Sequence, residues 1–145
     1  MILRRATADD AGALAVILRT CFRVSLPFLP ELHTADEDLA FMAARIARPD
    51  PVWLGEADGS PVGFITFREG WIDHLFVHPD HQGRGIGPAL LAKALEGGRP
   101  MQLWTFQENA RARRFYEARG FRAVEFTDGH GNEEKVADVR YAWFP

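Results

Sequence analysis

The sequence contains one cysteine, Cys21, so no internal disulfide can form and no cysteine pair is available to hold a metal. It has no long basic run, and its formal net charge is −3. A dedicated nucleic-acid binder concentrates lysine and arginine on its contact face, so no nucleic-acid partner is expected. Its longest apolar run, Ala11–Leu18, falls far short of the ~20 residues a membrane-spanning helix needs. The first residues, MILRRATADD, lack the basic-then-apolar order of a secretory signal. These absences lead to an expectation of a cytoplasmic, reducing setting with no membrane association. Low-complexity stretches and internal repeats are missing as well. What remains is an ordinary globular balance: 145 residues, 47% hydrophobic and 26% charged, with eleven Phe and four Trp to fill one core.

The apolar pattern divides this chain into alternating elements. Ile2 to Arg5 reads as a short strand. Thr7 is placed to cap a helix running from about Asp9 to Arg23, along which Ala11, Leu14, Ala15, Leu18 and Phe22 keep helical spacing. Pro27 and Pro30 break the chain, and Thr34 followed by Glu37 forms a capping box that opens a second helix, to about Ala47. VWLGEA and VGFITF, joined by Asp58-Gly59-Ser60-Pro61, read as an antiparallel hairpin, and Trp71 to Val77 adds a third strand. A glycine-rich turn then leads into PALLAKALEGG, a helix stopped by Gly97-Gly98. The strand MQLWTF, the helix ENARARRFYEARG, the strand FRAVEF and a last strand from about Val136 to Phe144 complete the order. This is an α/β pattern with a mixed, mostly antiparallel sheet flanked by helices, expected as a single domain over residues 1–145.

The turn His81-Gln82-Gly83-Arg84-Gly85-Ile86-Gly87-Pro88 carries the strongest chemical signal. Glycines at alternate positions between a strand and a helix leave successive backbone N–H groups open at a helix N-terminus. A diphosphate suits such a site, since small side chains allow close approach and the helix dipole favours the anion. Two phosphate motifs fail by letter. A Walker loop needs Lys and then Ser or Thr after its last glycine, and Gly87 is followed by Pro88. A dinucleotide fingerprint needs a third glycine where Pro88 or Leu90 stands.

The turn resembles motif A of the GCN5-related N-acetyltransferases, Gln/Arg-x-x-Gly-x-Gly/Ala, with Gln82, Gly85 and Gly87 at the defined positions and LFVHP before them. A second motif of that family, Asn-x-x-Ala-x-x-x-Tyr, is matched by Asn109, Ala112 and Tyr116, with Gly120-Phe121 after it. The family order of elements runs along the whole chain. The resemblance implies that the backbone of Gln82, Gly83, Arg84, Gly85, Ile86 and Gly87 holds the pyrophosphate of acetyl-CoA. It further implies that main-chain groups of Leu75, Phe76 and Val77 pair with the pantetheine arm between two splayed strands, and that Asn109 contacts that arm. Tyr116 is then the general acid beside the sulfur. Pro88 departs from the small polar residue common there, and its missing N–H implies fewer phosphate contacts.

Amide formation needs a neutral amine, and an alkyl ammonium titrates near ~10, so its proton needs an exit. Several relatives carry a glutamate where this chain has Trp71. Asp73, two residues on and facing the same way by strand alternation, is the candidate base. His74 is the second, reaching the site only if a bulge turns it; a structural partner for either remains open. His74, His78 and His81 do not have the spacing of a metal site, and no metal is expected. The resemblance also implies an amine acceptor, small-molecule or peptide, bordered by Phe22, Phe28, Leu29 and His33 and by the loop holding Glu133 and Glu134. Trp71 and Trp104 would lie on its floor. Carboxylates in that loop would favour a cationic acceptor. Relatives of this kind often form homodimers. The competing reading is a degenerate module that binds acyl-CoA without turnover.

Overall fold

Strand-forming runs pair into a seven-stranded sheet of order β1-β2-β3-β4-β5-β7-β6 in the computed structural model, which describes residues 1–145. The strands are β1 (Ile2–Arg5), β2 (Val52–Ala57), β3 (Ser60–Arg68), β4 (Trp71–Val77), β5 (Met101–Phe106), β6 (Arg122–Phe126) and β7 (Asp138–Trp143). The helices are α1 (Ala11–Ser25), α2 (Ala35–Ala47), α3 (Ile86–Leu95) and α4 (Ala110–Glu117). Every neighbouring strand pair is antiparallel except β4 and β5. The mixed, mostly antiparallel sheet expected from the sequence is the one observed. No helix is long and apolar enough to cross a membrane.

Two cores form because the central strands are covered on both faces, which is why β3 reads as a continuous apolar run. On one face Leu14, Leu18, Cys21 and Met42 pack against Leu54 and Phe64. On the other, Leu90, Leu91 and Tyr116 pack against Ile65, Leu103 and Tyr141. Each fully buried side chain of this size is worth about 1.5–3 kcal/mol of transfer free energy. Gly55 and Gly63 face each other across β2 and β3. A Cβ on either would stand only 3.2 or 3.3 Å from Ile86 Cγ2, so the pair forms the hollow that seats the first residue of α3.

The capping box at Thr34 is present: Glu37 N–H donates to Thr34 Oγ1 at 3.1 Å and Thr34 N–H to Glu37 Oε1 at 2.9 Å. Thr7 acts otherwise than expected. Its hydroxyl makes no cap bond, and its N–H instead donates to Asp10 Oδ2 at 2.8 Å, with a 3-10 turn at Ala8–Asp10 preceding α1. Asp10 also receives both terminal nitrogens of Arg4, each at 2.8 Å, and the guanidinium lowers its carboxyl to about 2.

Two irregularities in β4 position the site. First, Thr66 pairs with His74 and Phe67 with Ile72, so Asp73 is an extra residue bulged out of the ladder. Alternation therefore fails between Asp73 and His74: Asp73 stays on the Trp71 side, where the Arg68 guanidinium meets both, and the bulge brings His74 round beside it. Second, β4 and β5 pair only at Trp71 and Gln102, beyond which the strands separate.

Candidate active site

The separation of β4 from β5 opens a cleft of about 410 Å³, within the range of small-molecule sites. His78 N–H donates to Val62 O at 2.8 Å, so positions 78, 76 and 74 point their backbone groups to β3. Leu75 and Val77 turn theirs the other way, into the gap. This corrects part of the expectation: Phe76 lines the cleft, but its N–H and C=O are spent on β3. The Val77 carbonyl is also taken, by Cys21 Sγ at 3.3 Å and Gln82 Nε2 at 3.1 Å. Left open along the gap are both polar groups of Leu75 and the N–H of Val77.

The glycine turn closes one end of the cleft. Gly83 (φ 78°) and Gly85 (φ 85°) sit in the left-handed region, where a side chain is strained, and Gly85 is the N-cap of α3. Gly87 lies against the Phe115 ring, where a Cβ would stand 3.4 Å from Cε1, an ordinary contact. The Ile86 side chain is buried in the core, so only its backbone can serve a ligand. Gln82 lines the cleft with its amide nitrogen donating to Val77 O. Arg84 is exposed beside the turn and does not line the cleft. Pro88 does line it, and the first turn of α3 lacks one N–H in consequence.

Asn109 caps α4, its Oδ1 accepting from Ala112 N–H at 3.1 Å, which leaves its amide NH2 for the cleft it lines. Tyr116, about two helical turns on, is 7% exposed and lines the same cleft. Its hydroxyl finds no protein partner, and burial raises its pKa above the ordinary phenol value, so it stays protonated near neutrality. Phe121 and Tyr141 hold the ring in place at centroid distances of 5.3 and 6.4 Å.

The base candidates lie elsewhere. Asp73 is engaged by Arg68, Nε to Oδ2 at 3.0 Å and Nη2 to Oδ1 at 3.2 Å, and it does not line the cleft. His74 bonds Thr66 Oγ1 through Nδ1 at 2.7 Å and packs edge-on to Phe41. Burial lowers its pKa to about 4, so the ring is neutral at pH 7. The bulge turns both residues into a shallow depression against α2, beside Phe41, Ala44 and Arg45. His81, weighed in the sequence only as a metal ligand, does line the cleft, and its buried Nδ1 has no partner. No group of three or more His, Cys, Asp or Glu converges as a metal site would.

A second pocket, about 240 Å³, brings together three of the four residues expected at the acceptor wall: Phe22, Leu29 and His33. Phe28 instead packs on Phe106, with ring centroids 6.1 Å apart. The loop before β7 reaches this pocket, with Glu134 in its lining and Glu133 Oε1 2.5 Å from His33 Nε2. Arg19 is paired with Asp38 (3.1 Å) and Arg23 with Glu31 (2.8 Å). Glu134 is in no ion pair. Only one aromatic layer separates this pocket from the cleft, with the Phe22 ring 5.6 Å from that of Phe76. Of the two floor candidates, Trp104 stands 43% exposed on β5, and Trp71 lies under the Arg68 guanidinium, 5.5 Å away.

A strand interrupted beside a glycine turn, with a free tyrosine hydroxyl in the gap, is the arrangement the sequence motifs implied. The model of the acetyltransferase (GNAT) family matches residues 13–121, and the chain belongs to that family of acyltransferases. An uncharacterized N-acetyltransferase of Archaeoglobus fulgidus is 37% identical over 92% of this chain and 100% of its own length. MJ1207 of Methanocaldococcus jannaschii, also an uncharacterized N-acetyltransferase, is 38% identical over 55% of this chain, which spans only 42% of that relative. Among solved structures, yncA of Salmonella typhimurium with its cofactor acetyl-CoA superposes with a TM-score of 0.75 at 22% identity, covering 98% of this chain and 91% of the other. That likeness is one of fold.

Proposed function

We propose that the protein moves an acetyl group from acetyl-CoA to a primary amine by direct attack within a ternary complex. The observation that carries this reading is the Tyr116 hydroxyl, protonated and unpartnered, in a cleft bounded by the free edge of β4 and the glycine turn. The fit is chemical as well as spatial. No Asp or Glu lines the cleft, in a chain with twenty of them, so a diphosphate meets no repulsion there.

Backbone N–H groups of the turn and of Ile86 and Gly87 bind the diphosphate, and Leu75 and Val77 pair with the pantetheine arm as a neighbouring strand would. A backbone N–H of β4 polarises the thioester carbonyl, a donor already in place where charge develops. Tyr116 supplies the proton that the leaving thiolate takes up. The amine proton departs through water, with the unpartnered His81 imidazole the one side-chain base in the cleft to receive it, because no carboxylate lines the cleft and both Asp73 and His74 are held against α2. For the acceptor, the lone carboxylate of Glu134 favours an amine with a second positive charge, such as a diamine or a basic peptide.

One observation favours the second reading, a module that binds acyl-CoA without turnover: the cleft contains no carboxylate, and His81 is the one imidazole in its lining. Thiol release from acetyl-CoA across an amine panel separates the two. Turnover with any amine supports the transferase. Saturable acetyl-CoA binding with no release supports the module. Binding itself is read by thermal unfolding, since a ligand at about 100 times its Kd adds roughly 2.7 kcal/mol to the folded state.

A further inference from the structure

Beyond the turn, the cleft has a second feature suited to an anion. Arg111 and Arg119 both belong to its lining, and neither has an acidic partner, whereas Arg4, Arg19, Arg23, Arg48, Arg68, Arg99 and Arg140 are all ion-paired. Arg119 is held in place: its Cζ lies 4.0 Å from the centroid of the Phe115 ring, and its Nη1 donates to Phe115 O at 3.0 Å. Its Nε and Nη2 are left free. The Phe115 ring in turn lies against Gly87, in the first turn of α3. A fixed guanidinium on an aromatic platform therefore adjoins the place where the diphosphate is proposed to bind.

The geometry points to Arg119, with Arg111 beside it, as the reader of the 3′-phosphate on the ribose of the acyl donor. This rests on the acetyl-CoA reading above. Acetyl-CoA carries two separate anionic groups, the diphosphate and the 3′-phosphate, and the backbone of the turn accounts for the first alone. A dianion against two unpaired arginines forms charge-assisted hydrogen bonds, and the planar fork of Arg119 suits the tetrahedral oxygens. The consequence is a choice of donor. A phosphopantetheine arm attached to a carrier protein has one phosphate and no 3′-phosphate, so it lacks the group that Arg119 reads. The enzyme then draws its acyl group from the free nucleotide thioester.

Calorimetric titration with CoA and 3′-dephospho-CoA tests this without knowledge of the acceptor. Wild-type protein is expected to bind CoA about tenfold more tightly than dephospho-CoA. Arg119→Ala should lose that factor on CoA and stay within about twofold on dephospho-CoA, so that the two ligands become equivalent. Arg119→Lys should restore part of the difference. Arg114→Ala, on α4 but outside the lining, should behave as wild type and so control for net charge. Equal affinity of the wild type for the two ligands overturns the proposal, as does an Arg119→Ala variant that loses equally on both. Failure of the wild type to bind either ligand instead removes the acetyl-CoA reading, and this inference with it. Arg119 is exposed, and matched melting temperatures show that each variant is folded.

Discussion

The two cavities of this protein are built in different ways. The cleft between β4 and β5 is shaped mainly by backbone: a strand that lost its partner, two glycines at positive φ, and a helix start seated in a hollow of two more glycines. The pocket at the end of α1 is shaped by side chains whose charges cancel one another until only Glu134 is left over. A backbone site recognises a class of ligand, because every chain supplies the same amides. A side-chain site recognises an individual, because each substitution rewrites it. The donor end of the reaction is therefore fixed by fold, and the acceptor end by a handful of replaceable residues.

The sharpest test of the contrast is Tyr116→Phe, a side-chain change inside the backbone-built cleft. It should lower kcat about a hundredfold or more while acetyl-CoA affinity, measured by calorimetry, stays within about twofold. Gly85→Val should do the reverse. Strain of about 1–3 kcal/mol at a positive φ weakens cofactor binding roughly tenfold, and rate at saturating cofactor largely survives. At the other cavity, Glu134→Gln should raise KM for a dicationic amine about fivefold, near 1 kcal/mol, and leave that for a monoamine unchanged. A smaller effect is expected on pH behaviour. Partial desolvation of the His33 ring opposes its charge, but Glu133, with Glu37 and Asp38, outweighs this and holds its pKa above the ordinary value. The His33–Glu133 contact is thus fully present below about pH 6.5 and lost as pH rises through the folded midpoint. Glu133→Gln should move that midpoint, read by NMR of the imidazole, back down. Smallest of all, Asp73→Asn should change kcat less than about twofold, since its carboxylate is engaged by Arg68 outside the cleft. A large loss there would return Asp73 to the reaction.

The same contrast explains what the sequence disclosed. Glycine spacing and the Asn109–Tyr116 interval are local signals, and they located the turn, α4 and the phenol that shares their cleft. The base was not legible in this way. Alternation placed Asp73 with Trp71 and His74 opposite, and one extra residue in the β4 ladder brought His74 round to the same depression, away from the cleft. A bulge leaves no mark in a single strand; it exists only in the register with β3. Arg119 escaped notice for a related reason. Its role depends on lining the cleft with no acidic partner, and both lining and partners are known only once the chain is folded. Thr7 shows the limit at its smallest scale: the cap position was right, but Arg4 had drawn Asp10 into a different set of bonds.

The seam between β4 and β5 has one more consequence. Most sheets have two free edges to guard against unwanted pairing, and this one has a further pair in its interior. That inner edge is blocked at Val77, where Cys21 and Gln82 already occupy the carbonyl, and it is walled by α1 and α4. A peptide strand brings side chains on both faces, whereas a slender chain with amide groups and no branches fits between them. The domain thus keeps a vacancy in its own weave, and what completes the fabric for the length of one turnover is a thread it must also let go.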